Sequence, residues 1–69
     1  MKLYWTEWAA KLNLTQAEIG RRTVMAGHPI GVNNINVIFA GKQDPQLRTI
    51  CTLAGAMGLT LADLEKPPG

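Results

Sequence analysis

The chain has no serine, one cysteine (Cys51) and one histidine (His28) in 69 residues. Such a set supplies no nucleophile–base pair for covalent catalysis. One cysteine also excludes an intramolecular disulfide and a cysteine-rich zinc site. His28 has no Asp, Glu or Cys at ligand spacing and reads as a turn residue. Acidic residues are few. Glu18 and Asp63 fall at helix-cap positions, and Glu7, Asp44 and Glu65 are scattered, so no paired-acid geometry emerges. The expectation is a protein that is not an enzyme, uses no cofactor or metal and takes no small-molecule ligand.

Charge of either sign is also sparse. Seven Lys plus Arg against five Asp plus Glu leave +2, with a sequence pI near 9.0. That balance permits contact with phosphates without requiring it. No run approaches the roughly 20 apolar residues of a membrane span. The opening residues, Lys2 followed by Trp5, Glu7, Trp8 and Lys11, do not form a signal peptide. A cytoplasmic protein is expected. No linker or low-complexity stretch divides the chain. It reads as a single domain over 1–66 with a tail at 67–69. So short a chain buries only about 60% of its unfolded surface. Its stability must then come from tight helix packing or a partner subunit.

Helix signals fill what remains. Trp5, Trp8, Ala9 and Leu12 recur at i, i+3, i+4 and i+7, one face of a first helix within residues 3–12. The tryptophans read as core anchors; the alternative is base stacking in a single-strand binder. Asn13 and Leu14 end this helix. Thr15 with Glu18 predicts a capping box, and Leu14 with Ile19 a hydrophobic staple. The second helix buries Ile19, Thr23 and Ala26 and stops at Gly27, with Pro29 beyond. His28-Pro29-Ile30-Gly31 is a connector of helix-turn-helix length.

A third helix is predicted from about Val32 to Ala40. Ile35, Ile38 and Phe39 face inward; Asn33, Asn36, Val37 and Ala40 face outward. Gly20 allows it to approach the second helix closely, and Gly41 closes it. Asp44 and Pro45 read as N-cap and first residue of a fourth helix. That helix carries Leu47, Ile50, Cys51, Ala54 and Met57 inward, so Cys51 is expected as a buried free thiol. Gly58 ends it. Thr60, Asp63, Leu59 and Leu64 repeat the cap-and-staple logic for a short fifth helix, stopped by Pro67-Pro68. The fold class is all-α.

Taken together, these pieces resemble one family. Leu14-Thr15-Gln16-Ala17-Glu18-Ile19-Gly20, Asn34-Ile35-Asn36, Gly41-Lys42, Asp44-Pro45, Leu47, Leu53-Ala54 and Met57-Gly58-Leu59-Thr60 are similar to the Cro/C1-type, or Xre, helix-turn-helix proteins. The likeness runs over about residues 3–65. It implies a five-helix, lambda-repressor-like helix-turn-helix domain binding double-stranded DNA. On this resemblance Gln16 contacts a phosphate from a helix N-terminus, a position suited to anions. Val32, Asn33, Asn34, Asn36 and Val37 fall where the family reads bases; Asn suits adenine and Val a thymine methyl. Lys42 and Gln43 match positions that reach the backbone. Two departures stand out. The segment Val24-Met25-Ala26-Gly27-His28-Pro29 is longer than the family's, and Phe39 stands where glutamate is common.

The expected function is transcriptional regulation, in the sense of repression, by occupancy of an operator as a homodimer, in the manner of phage Cro-type regulators. Leu59, Leu61 and Leu64 are the expected dimer interface. The chain has no room for an effector domain. Arg21 and Arg22 are either phosphate contacts or plain surface charge. The asparagines are either base-reading groups or a solvated helix face capped at Asn33. Two further alternatives are an antitoxin-type module that binds a protein, and a third helix that has lost DNA binding and turns Val37 and Ala40 to a protein.

Overall fold

Single residues with left-handed backbone set where most of the helices stop. The computed structural model describes residues 2–69, so the expected domain's first residue, Met1, lies outside them. Its helices are α1 (Trp5–Leu12), α2 (Gln16–Met25), α3 (Val32–Phe39), α4 (Leu47–Ala56) and α5 (Leu61–Leu64). Among the described residues there is no strand, and the fold is all-α. Asn13, Gly27, Gly41 and Gly58 have φ of 57°, 85°, 74° and 74°. Each closes a Schellman motif, in which the next residue's N–H reaches back five positions to a helix carbonyl. Leu14 N–H bonds Ala9 O, His28 bonds Thr23 O, Lys42 bonds Val37 O and Leu59 bonds Ala54 O, at 2.8–3.1 Å.

Helix starts follow the sequence less uniformly. At α5 the capping box is complete: Thr60 N–H donates to Asp63 Oδ2 at 2.9 Å and Asp63 N–H to Thr60 Oγ1 at 3.2 Å. At α2 only half of the expected box forms. Glu18 N–H donates to Thr15 Oγ1 at 3.1 Å, but the Glu18 carboxylate pairs with Arg21 and, at 3.5 Å, with Arg22 Nε. Cationic neighbours one turn on compete for the oxygens that the box would use. Thr15→Ala is expected to lower stability by about 1 kcal/mol. Urea unfolding measures it, and an unchanged midpoint would show the cap to be idle.

The start of α4 is a correction. Asp44 is not its N-cap and Pro45 is not its first residue. The cap is Gln46, with extended backbone and no side-chain cap bond. Proline disfavours helical backbone at the residue before it, both at a cap and in an extended loop. The Asp-Pro pair therefore fits either. Here Pro45 is half-buried in a groove lined by Ile38, Phe39 and Ile50, and the helix begins beyond it.

The core comprises Trp5, Ala9, Ile19, Ile30, Ile35, Ile38, Ile50, Leu53, Ala54, Met57 and Leu64. α2 packs on both α3 and α4, and α4 on α5. Trp5 stacks on Phe39, with ring centres 5.4 Å apart and planes 12° from parallel. That stack accounts for the aromatic at position 39. Trp8 is half-buried, and its indole N–H points to the carbonyls of Asp63 (3.0 Å) and Lys66 (2.8 Å), tying α1 to the end of α5.

Several inward assignments fail. Leu12, Ala26, Leu47 and Cys51 are exposed. The apolar stripe of α4 is displaced: Ile50, Leu53, Ala54 and Met57 point inward, and Leu53 is fully buried. α4 is apolar on both flanks, so its own periodicity leaves the flank open. Packing against α2 and α5 selects Leu53 over Leu47 and Cys51.

Candidate nucleic-acid interface

Two local facts place α3 against α2. Gly20 is fully within the contact: a Cβ there would lie 3.4 Å from Val32 Cγ2 and 3.6 Å from both Ile30 O and Ile35 Cδ1. A Cβ at those distances makes ordinary contact, so alanine fits there, whereas a longer side chain would meet α3. Thr23, with no exposed surface, donates its hydroxyl to Gly20 O at 2.7 Å and accepts Ile30 N–H at 3.0 Å. Ile30 is itself 7% exposed, so this amide would otherwise be an orphan inside the protein.

With Ile35 and Ile38 buried, the helical period sends Asn33, Asn36 and Val37 outward as one face. Asn33, Asn34 and Asn36 are all exposed. Among the described residues, no side-chain hydrogen bond engages any of their amides. Gly31, with extended backbone, is the N-cap of α3, so Asn33 sits inside the helix and is not its cap. The face carries amides and apolar groups, without charge in the first or last turn.

The base-facing set does not stay together. Val32 is 45% exposed but lies on the flank beside Gly20. Asn34 lies on the opposite flank from Asn36, in a groove with Gln43. Asp44 shares that groove, and its carboxylate would repel a phosphate placed there. Val37 is half-buried although it points outward.

The cations differ in availability. Lys42 is exposed just past the Schellman turn of α3 and has no ion-pair partner among the described residues. Arg21 is exposed and paired to Glu18 one turn back. Arg22 is held twice, by Glu18 and by donating Nη1 to Ala56 O at 3.1 Å. The latter bond caps the C-terminal end of α4 and ties it to α2, a structural role that displaces Arg22 from the phosphate set. Gln16 is the first residue of α2, half-buried, at a helix end where the Thr15 cap takes the Glu18 N–H and leaves those of Gln16 and Ala17 without a partner among the described residues.

The expected dimer residues also separate. Leu64 is completely buried within the chain and cannot serve an interface. Leu59 and Leu61 are half-buried, packed against the core with part of their surface outward. Sequence reasoning passed over Ile30 and the hydroxyl of Thr23. A lone isoleucine between Pro29 and Gly31 was the available signal, because an apolar residue in a tight connector must be buried and its amide then needs a partner.

Among the described residues, no three His, Cys, Asp or Glu side chains converge to hold a metal ion. No helix among the described residues is long and apolar enough to cross a membrane. Comparison with protein-family models, with curated proteins and with solved structures gave no significant match.

Proposed function

We propose that the chain is a sequence-specific duplex-DNA-binding protein, related to the Cro/C1-type regulators, that represses transcription by occupying an operator. One observation carries the reading: the outward face of α3 presents exposed asparagine amides beside Val37, with Lys42 just past the helix end, and among the described residues neither the amides nor Lys42 has a side-chain partner. Amides can bond the adenine edge in the major groove in bidentate fashion, and a methyl can meet thymine. The N-terminus of α2, with Gln16, offers N–H groups to a phosphate. Lys42 adds a point charge just past the C-terminal end of α3. Such a protein works in the cytoplasm by binding alone, without catalysis or cofactor.

A homodimer completes the mechanism, its two copies of α3 entering half-sites about 34 Å apart on one face of the duplex. Leu59 and Leu61, the partly exposed leucines around α5, are the proposed contact. Selection of bound duplexes from a random pool tests the whole reading. A two-fold symmetric motif is expected, and absence of enrichment would overturn it. Lys42→Ala is expected to weaken binding on all sequences and to reduce the salt slope of log K by about 1. An unchanged slope in a salt titration removes Lys42 from the backbone contacts.

A second reading, an antitoxin-type module that binds a protein, has one observation in its favour. Val24 and Met25, on the last turn of α2, are 57% and 86% exposed. Co-purification with an untagged neighbouring gene product, abolished by Met25→Glu, would favour it.

A further inference from the structure

The connector between α2 and α3 is held almost entirely by one residue. Its backbone donors are few. Gly27 is already engaged with Val24 O, and Pro29 has no N–H. The Gly31 N–H has no protein partner among the described residues, so His28 and Ile30 carry the engaged donors on the path into α3. His28 N–H donates to the carbonyl of Thr23 at 3.1 Å, and Ile30 N–H donates to the hydroxyl of the same residue at 3.0 Å. The Thr23 hydroxyl has a single proton, which goes to Gly20 O at 2.7 Å. The hydroxyl is therefore used as donor and as acceptor, in a site with no exposure to water.

Gly20 faces the same contact, since a Cβ there would lie within 3.6 Å of Val32, Ile35 and the Ile30 carbonyl. Thr23 lies two residues before the end of α2, and Val24 to Gly27 beyond it are exposed throughout. Thr23 thus holds the path into α3 by fixing Ile30, from which the chain passes through extended Gly31 into Val32.

We infer that Thr23 is the positioning residue for DNA recognition: its hydroxyl fixes the direction of α3 relative to α2, and with it which asparagines meet the base edges. Base readout needs bidentate geometry, whereas phosphate attraction tolerates displacement. Release of the connector therefore costs discrimination more than affinity. This rests on the DNA-binding reading above.

The test compares Thr23→Val, which keeps the shape and loses both hydroxyl bonds, with Thr23→Ser, which keeps them. Thr23→Ala is read alongside, because it places no methyl against the Ile30 amide. Three quantities are measured: hydrogen exchange at the Ile30 amide, the α2–α3 angle from residual dipolar couplings of the free protein, and the ratio of affinities for a selected duplex and a random one. In a folded Val or Ala variant, Ile30 protection is expected to fall, the angle to change, and discrimination to drop by about tenfold or more, the scale of one bidentate contact. Random-duplex affinity stays within about threefold, since it rests on phosphate charge. The Ser variant restores all three.

An unprotected Ile30 amide with unaltered angle and discrimination would overturn the proposal. So would a Ser variant that folds and fails to restore discrimination when the other variants do not fold. A wild-type protein that binds DNA without discrimination, or not at all, sinks the functional reading instead. The couplings then still report whether Thr23 sets the angle.

Discussion

Leu64→Ala is expected to destabilise the folded chain by about 2–5 kcal/mol, the range for truncating a buried leucine. The loss is expected to be the same at low and high protein concentration. Leu64 has no exposed surface, and it is the residue through which a helix of only four residues enters the core. Its carbonyl also accepts Tyr4 N–H at 2.9 Å, joining α5 to the start of α1. A cavity there loosens both. A domain of this length has about 3–10 kcal/mol of total stability at typical values per residue, so the loss takes a large share of it. Urea unfolding at two protein concentrations is the measurement. A loss relative to wild type that differed between the two concentrations would return Leu64 to a subunit interface and contradict its burial.

Replacing Asn33 or Asn36 by Ala is expected to reduce affinity for the selected duplex by about 5- to 150-fold, corresponding to the 1–3 kcal/mol of a bidentate base contact. Binding to random duplex should change little. Both side chains are exposed and on the outward face of α3, so the folded state should tolerate either change. Asn34→Ala is the internal comparison. It has the same chemistry on the flank facing Gln43 and Asp44, and should lose less. Equal losses on selected and random DNA would rule out base reading by the residue concerned.

What the sequence made legible was what short-range chemistry decides. Asn13, Gly27, Gly41 and Gly58 mark helix ends because each stop needs left-handed backbone that other residues avoid. Thr60 with Asp63 marks a start because the partners are three residues apart and nothing else competes for them. The Asn33–Asn36–Val37 face followed from where Ile35 and Ile38 had to go. The failures are where a distant residue casts the deciding vote. Glu18 was drawn from its cap by two arginines. The start of α4 was moved by the seating of Pro45, and the inward flank of α4 by its neighbours. Arg22 was taken by a carbonyl 34 positions away. Thr23 is the most instructive miss: its stripe position predicted burial, but periodicity has no information about what a buried hydroxyl will hold.

The indole of Trp8 has a consequence for spectroscopy. The chain's two tryptophans sit in unlike surroundings, Trp5 buried in an aromatic stack and Trp8 half-buried with its N–H on the Asp63 and Lys66 carbonyls. Emission from Trp8 therefore follows the docking of the C-terminal segment, while the near-ultraviolet circular dichroism of the buried, stacked Trp5 follows the core. Each is an intrinsic optical channel. Comparing them as temperature rises distinguishes fraying of the last helix from collapse of the whole, with no added label.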